Sequence, residues 1–307
     1  MVFFNALPTD ERCGSLVPSF CVNLLRHQRD SFNLLFEVSM AQKPFFVTIS
    51  HAGEKVPSEV TWLENLPETV LMCDVDRYVD LLYQPALDFL NIPSVVTPWH
   101  RYVVDLNRLP SDLDALSVQG AEDPENSRFK KGIGLHWART TKGDTLISEP
   151  MSEALHLTLV ELYYRPFHEQ VESAYKTFFD QGHRRVLQID AHSMPSQGTE
   201  AHPDPGEKRS EIVVSDLKGK SCDSDFTDIV ITAFRDMAGF EVAYNWPYVG
   251  GRVTERYGMP GDGQNAIQVE LNRALYMNET TKKLEEVKAS QVKMQIQKAL
   301  SYIHENL

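Results

Sequence analysis

The stretch that most constrains the fold is Val47–Pro57, in which an apolar run stops abruptly at a histidine, a glycine and an acid. Its first residues are β-branched and come after Phe45 and Phe46, so they predict a buried strand. His51 then lies where that strand ends. Because ligands in open α/β sheets bind at the carboxyl ends of strands, this histidine is a candidate for a functional site.

A second stretch has the same pattern much later in the chain. In Val186–Met194, another apolar run leads into Asp190 and His192. A single histidine at a strand end is more often a capping or hydrogen-bonding group than a metal ligand. Two strands that each deliver a histidine at the same end, however, indicate one shared site.

The residue types around these histidines are those that bind zinc. Glu54 lies three residues after His51 and can add a carboxylate to the same ion, with an acid in the first turn of a helix as the alternative interpretation. Asp76 has the same two interpretations, because it lies near the start of the predicted amphipathic helix Asp74–Tyr83. Together with His192, two imidazoles and one carboxylate leave an open position for water, as in a catalytic zinc site.

A third acid occupies the apolar stretch Ala266–Leu271, which predicts another strand. An ionised carboxylate in a buried strand costs free energy unless it is paired, bound to a metal or catalytic. Glu270 is therefore a candidate general base, and a structural ion pair with Arg273 or Arg108 is the alternative.

Several arginines are placed to bind an anion. Arg108 and Asn107 come after the predicted strand Tyr102–Leu106, and Arg252 and Arg256 lie in a glycine-rich segment. A guanidinium group offers a planar fork that matches a carboxylate. We therefore expect these arginines to contact an anionic substrate.

The remaining pattern alternates strands and helices around a long irregular segment, residues 110–150, of the kind that is usually a functional lid or a mobile loop. Further strands are predicted at Ser94–Thr97, Glu211–Ser215 and Glu241–Tyr244. Helices are predicted at Ser152–Phe179, at Phe226–Ala238 and from Thr280 onward.

Composition narrows the class of partner. The 307 residues carry a formal net charge of -13, which argues against a nucleic-acid partner, and no apolar run approaches the length of a membrane span. A small metabolite is the expected partner. The four cysteines show no paired spacing, so we expect no disulfide framework and a cytoplasmic location.

Residues 1–39 differ in pattern from the rest of the chain. They contain no basic region followed by an apolar core and a small-residue cleavage site, so we expect no secretory signal. Met40 directly precedes the first convincing strand. The segment is therefore either an N-terminal extension or a native arm packed on a single domain that spans residues 40–307. Both interpretations remain open.

Six motifs, taken in order along residues 44–277, resemble the N-formylglutamate amidohydrolase family. They are SHAG-x-x-x-P at Ser50–Pro57, D-x-D-x-x-V-D-x-L-Y at Asp74–Tyr83, V-D-L-N-R at Val104–Arg108, D-x-H-S at Asp190–Ser193, G-G-x-x-T-x-R-Y-G at Gly250–Gly258 and V-E-L-N-R at Val269–Arg273. The family is related to the zinc carboxypeptidases. The resemblance implies a three-layer αβα fold with a central mixed, mostly parallel sheet.

The resemblance also implies roles for individual residues. His51, Glu54 and His192 resemble the ligands of one zinc ion, and Asp76 is the alternative to Glu54 because family members commonly lack an acid at that spacing. Glu270 resembles the general base. The expected oxyanion stabiliser is Arg108, and the expected substrate-binding residues are Asn107, Arg108, Arg252 and Arg256.

The implied activity is metal-dependent hydrolysis of an N-acyl amino acid, with N-formyl-L-glutamate giving formate and glutamate. Two alternatives remain at this point. One is a zinc carboxypeptidase or amidase that acts on a peptide or another acyl amino acid, and the other is a catalytically silent metabolite-binding protein. The sequence leaves the oligomeric state and the pathway open.

Overall fold

The computed structural model of the chain describes residues 43–122 and 131–307. The two interpretations of residues 1–39 concern a segment outside this range. No helix among the described residues combines the length and the apolarity needed to cross a membrane.

A six-stranded sheet forms the centre of the fold, with the strand order β2-β1-β3-β6-β4-β5. Its strands are β1 Phe45–Ile49, β2 Ser94–Val96, β3 Val186–Met194, β4 Ile212–Ser215, β5 Val242–Tyr244 and β6 Gln264–Asn272. All pairings are parallel except that between β4 and β6. Strands β1 and β3 are buried along their whole length, as expected for parallel strands covered on both faces.

Helices cover both faces of the sheet. They are α1 Glu68–Leu71, α2 Val79–Leu90, α3 Glu153–Leu159, α4 Arg165–Asp180, α5 Ser224–Thr232, α6 Arg252–Tyr257 and α7 Glu286–Asn306. A π-helical turn, Val160–Tyr164, joins α3 to α4, and another, Ala233–Met237, comes after α5. A short hairpin of β7 Met277–Asn278 and β8 Lys283–Leu284 precedes α7.

Two hydrophobic clusters lie between the layers, one on each face of the sheet. Side chains of neighbouring strand residues point to opposite faces, so Val47 packs in the cluster with α2, α5 and α7, whereas Phe46 packs in the cluster with α4. The structure thus confirms the predicted three-layer αβα arrangement around a mixed, mostly parallel sheet.

Three predictions of local structure are wrong. The helix predicted from Thr280 onward begins only at Glu286, after the strand Lys283–Leu284. Tyr102–Leu106 is buried but forms turns instead of a strand, because the N–H of Val103 bonds back to the carbonyl of His100. The helix predicted at Asp74–Tyr83 begins only at Val79, since Tyr78 has a left-handed backbone with φ of 72°. This delay leaves Asp76 in the preceding loop.

The irregular segment is irregular in the structure as well. Between Val96 and Glu153 the described residues contain turns and isolated bridges but no regular helix or strand. Leu135 and Trp137 of this segment are nevertheless buried. Its role as a lid remains a prediction.

Candidate metal and catalytic site

Three adjacent parallel strands bring the candidate residues to one edge of the sheet. His51 lies just after the end of β1, and His192 and Glu270 lie directly opposite each other near the ends of β3 and β6. Asp76 arrives from the loop before α2, where its N–H donates to the carbonyl of His51. Four residues that are far apart in sequence therefore meet where ligands bind in such sheets.

His51, Asp76 and His192 form a buried group that could hold a metal ion, with all three candidate ligand atoms within 4.8 Å of one another. The Nδ1 atom of His192 lies 2.9 Å from Asp76 Oδ2, and Nδ1 of His51 lies 3.5 Å from the same oxygen. Two imidazole nitrogens and one carboxylate oxygen fit a divalent ion that prefers nitrogen and oxygen ligands.

The outer nitrogens of both rings are held by buried carboxylates. His51 Nε2 donates to Asp105 Oδ1 at 2.7 Å, and His192 Nε2 donates to Asp190 Oδ2 at 2.8 Å. A histidine that binds metal through one nitrogen is usually oriented in this way through the other. This second observation supports a metal site, because these carboxylates direct both Nδ1 atoms toward Asp76.

The charges in the site are strongly coupled. Burial alone would raise the pKa of Asp76, but hydrogen bonds with His192 and His51 hold it well below its usual range. Burial likewise opposes the charge on His192, yet Asp190 and Asp76 raise the pKa of this histidine well above its usual value. Protons and a cation therefore compete for the same buried, electronegative position.

Glu270 is buried beside this group. A structural ion pair with an arginine was the alternative role for this acid, but its carboxylate accepts a hydrogen bond from Gln268 Nε2 at 2.8 Å instead. Arg273 instead donates to Asp76 Oδ1 at 3.0 Å. Burial, aided by the charge of Asp76 and opposed by His192, raises the pKa of Glu270 to about 7. A carboxyl group with this pKa can take up and return a proton near neutral pH.

A cavity of about 540 Å³ opens onto the group. His51, Asp76, His192 and Glu270 line this catalytic cavity. It also has three arginines in its wall, Arg101, Arg108 and Arg273. The polar groups converge on one concave site, which is the usual form of an enzyme active site.

The preference for Glu54 as third ligand needs correction. Its side chain is 39% exposed and forms an ion pair with Arg77, with Oε1 at 2.7 Å from Nε. Asp76, the alternative, is the carboxylate that lies with His51 and His192. The spacing of three residues is compatible with a shared ion, but Glu54 does not line the cavity, and its carboxylate pairs with Arg77 instead.

Two of the predicted substrate-binding arginines lie outside the catalytic cavity, and their charges are compensated. Arg252 pairs with Glu255 at 2.7 Å and with Asp112 at 3.4 Å. Arg256 pairs with Glu172 at 2.7 Å. The structure therefore does not support these two assignments.

Asn107 and Arg108 do line the catalytic cavity. Asn107 also has a structural task, because its Oδ1 accepts a hydrogen bond from the N–H of Val253. The guanidinium of Arg108 donates to the carbonyls of Asn107 and Ile133. Unlike the other two arginines in the wall, it has no recorded carboxylate partner among the described residues.

Sequence reasoning missed Arg101 and His202. Arg101 donates to Asp105 Oδ2 at 2.8 Å and thereby supports the carboxylate that holds His51. His202 lines the cavity, and its Nδ1 accepts from the N–H of Thr199 at 3.0 Å. Neither residue lies at the end of an apolar run, so the strand-end signal could not have found them.

Comparisons with known proteins point to one family. The family model described as N-formylglutamate amidohydrolase matches residues 43–277. A protein of Pseudomonas putida named N-formylglutamate deformylase is 28% identical over 240 residues, which cover 77% of this chain and 83% of the relative. A protein of the same name from Pseudomonas aeruginosa is 26% identical over the same shares of the two chains.

Solved structures share the fold. The crystal structure of N-formylglutamate amidohydrolase from Ralstonia eutropha JMP134 matches with a TM-score of 0.72 at 22% identity, covering 87% of this chain and 96% of the other. A protein of Agrobacterium tumefaciens matches with a TM-score of 0.59 at 21% identity, covering 85% and 92%. Because the family model matches well over half of the sequence, this chain belongs to the N-formylglutamate amidohydrolase family.

Proposed function

We propose that this protein is a metal-dependent hydrolase that cleaves N-formyl-L-glutamate to formate and glutamate. The observation that carries the proposal is the buried group of His51, Asp76 and His192 with Glu270 beside it in one cavity. The two Pseudomonas relatives named N-formylglutamate deformylase support the choice of substrate.

Zinc is the proposed metal, because imidazole and carboxylate ligands in a site with an open position are typical of catalytic zinc. When bound, the ion would polarise the amide carbonyl and make a water molecule easier to deprotonate. His51, Asp76 and His192 would hold it. Asp105 and Asp190 keep both histidines in the orientation that binding requires.

Glu270 is proposed to move the proton. Its carboxylate takes a proton from the water that adds to the formyl carbon, and then delivers it to the amide nitrogen as the C–N bond breaks. The products are formate and the free amine of glutamate. A base with a pKa near 7 can perform both transfers.

Arg108 is the proposed partner of a substrate carboxylate. It lines the catalytic cavity and donates there to neutral carbonyls, so a carboxylate would add a charge-assisted bond. A local cation is needed because the chain as a whole carries a net charge of -13. We propose a small anionic substrate, no nucleic-acid or membrane partner and a cytoplasmic location.

The proposal is tested by metal analysis together with a formate-release assay. Purified protein, a chelated sample and a zinc-reconstituted sample are each given N-formyl-L-glutamate, N-acetyl-L-glutamate, N-formyl-L-leucine and a blocked dipeptide. We expect activity to depend on metal content and to be highest on N-formyl-L-glutamate. Metal-loaded protein that favours the blocked dipeptide would indicate a carboxypeptidase, and metal-loaded protein that cleaves none would indicate a silent binding protein.

A further inference from the structure

A second cavity of about 750 Å³ adjoins the catalytic cavity. Arg108, Gly250 and Gly251 line both cavities. The two glycines allow close packing here, because a Cβ at residue 251 would lie 2.1 Å from Asn107 Nδ2 and one at residue 250 would lie 3.0 Å from Leu217 Cδ2. The two cavities therefore share one stretch of wall.

The second cavity carries uncompensated positive charge. Of its cations, Arg252 is neutralised by Asp112 and Glu255. Lys218 and Lys220 also line the cavity, are exposed, and have no ion pair recorded among the described residues. In a chain of net charge -13, this local excess of positive charge favours an anionic ligand.

The loop that presents these lysines has a strained backbone. Leu217 and Lys218 both adopt left-handed conformations, with φ of 55° and 58°, which residues other than glycine rarely do. Hydrogen bonds hold the loop in place: Leu217 N–H donates to the carbonyl of Val249 at 2.7 Å, and Gly219 N–H donates to Asp216 Oδ1 at 2.8 Å. Strain of this kind persists where the surrounding structure fixes it, and it occurs often at ligand sites.

We propose that the second cavity binds the acidic C-terminal part of a longer substrate, an N-formylglutamyl peptide whose second residue is acidic. This inference rests on the proposed function. A formyl group has no chain to extend, so additional substrate must lie on the amino-acid side of the scissile bond. Water adds to the formyl carbon, the C–N bond breaks, and formate and the free glutamyl peptide leave.

The turnover test compares N-formyl-L-glutamyl-L-glutamate with N-formyl-L-glutamate and N-formyl-L-glutamyl-L-lysine. We expect the zinc enzyme to cleave the acidic dipeptide with a higher kcat/KM than the basic one. In the double variant Lys218→Ala/Lys220→Ala, the ratio of kcat/KM for the acidic dipeptide to that for N-formyl-L-glutamate should fall about five- to tenfold, the effect of losing two exposed charge pairs.

A charge-matched control is the double variant Lys293→Ala/Lys298→Ala in α7, which should leave that ratio as it is. An enzyme that cleaves N-formyl-L-glutamate but not the acidic dipeptide would overturn the inference. The same holds if the two double variants change the ratio equally.

A binding test separates this inference from the proposed reaction. Calorimetry measures the affinity of the acidic dipeptide for the zinc-loaded Glu270→Gln protein, with and without the substitutions at Lys218 and Lys220. Weaker binding in the lysine variant supports binding of the acidic dipeptide in the second cavity. If wild-type protein releases no formate, that absence of turnover refutes the proposed function alone. Equal binding in both proteins refutes the proposed binding in the second cavity.

Discussion

Glu270 and Asp76 are buried carboxyl groups a short distance apart, and their surroundings give them opposite proton affinities. Asp76 receives hydrogen bonds from His192 and Arg273 and stays ionised, whereas the hydrogen bond recorded for Glu270 comes from the neutral Gln268. When the pKa values of two neighbouring acids differ in this way, the ionised acid usually stabilises charge and the other acid transfers the proton.

Replacement of Glu270 by Gln keeps the shape of the side chain and an acceptor for Gln268, but it removes the group that accepts a proton. We expect metal content and thermal stability to stay near wild type while kcat on N-formyl-L-glutamate falls roughly 10²–10⁴-fold. Metal analysis, circular dichroism and steady-state kinetics measure the three quantities. Near-normal turnover, or loss of the fold, would assign Glu270 to the scaffold.

Replacement of Asp76 by Asn should remove most of the bound metal, because the amide offers no negative charge to the ion. The matched variant Glu54→Gln should retain its metal, since Glu54 pairs with Arg77 outside the site. Metal analysis of both proteins after gel filtration gives the answer. Loss of metal from Glu54→Gln with retention in Asp76→Asn would make Glu54 the third ligand.

Sequence patterns predicted the site residues that lie at or near the end of a strand. His51, His192 and Glu270 could be predicted because a buried apolar run ends at or near each of them. Asp76 could be named only as an alternative. Its position depends on the left-handed backbone of Tyr78, which delays α2, and on a hydrogen bond to His51 that no local pattern encodes.

The loop after β3 lines the catalytic cavity, and an internal ion pair holds it together. Arg209 forms a buried two-point ion pair with Asp204, at 2.7 and 2.8 Å, and also donates to Tyr248 Oη. His202 of the same loop lines the catalytic cavity. We call residues 195–209 the clamp loop.

Replacement of Arg209 by Met leaves Asp204 buried without its partner, which is strongly unfavourable. We expect faster amide hydrogen exchange in the clamp loop and a higher KM with a smaller change in kcat. Arg235→Met, which removes an exposed pair with Asp236, is the control and should leave both quantities near wild type. Unchanged exchange in the clamp loop of Arg209→Met would mean that the ion pair does not hold it.

Buried strands could be predicted from their apolar runs. Segments whose conformation depends on polar contacts with distant residues could not. Strands β1, β3 and β6 could be predicted from their apolar runs, but Tyr102–Leu106 has a similar run and forms turns. Within that segment, Asp105 binds His51, Arg101 and Trp137. A sequence window does not reveal such partners, so it cannot distinguish a buried strand from a buried turn.

For the whole molecule, neutral buried histidines set a limit on acid stability. Burial is the largest cause that lowers the pKa of His100 to about 4 and those of His136 and His168 to about 3. The unfolded chain, with histidine pKa values near 6.5, therefore binds more protons below that pH. The contribution of these three histidines to the free energy of unfolding must then fall as the pH drops from about 6.5 toward 4.

The variant His168→Gln tests this by removing one such group. We expect the free energy of unfolding of wild type to decrease more between pH 7 and pH 5 than that of the variant, by about 2 kcal/mol. Urea unfolding at both pH values measures the difference. Parallel pH dependence in the two proteins would contradict the assignment of His168 as neutral in the folded state.

The order of strands in the sheet also has a consequence during synthesis. Strand β6 is the last of the six to leave the ribosome, yet it lies in the middle of the sheet, between β3 and β4. Until residue 272 has emerged, β3 and β4 each present an unpaired inner edge, and Glu270 is missing from the site. Unpaired strand edges promote association between chains. From the emergence of β3 until residue 272 has emerged, the nascent protein is therefore open to association with other chains, and its chemistry becomes available only after the centre of the sheet has closed.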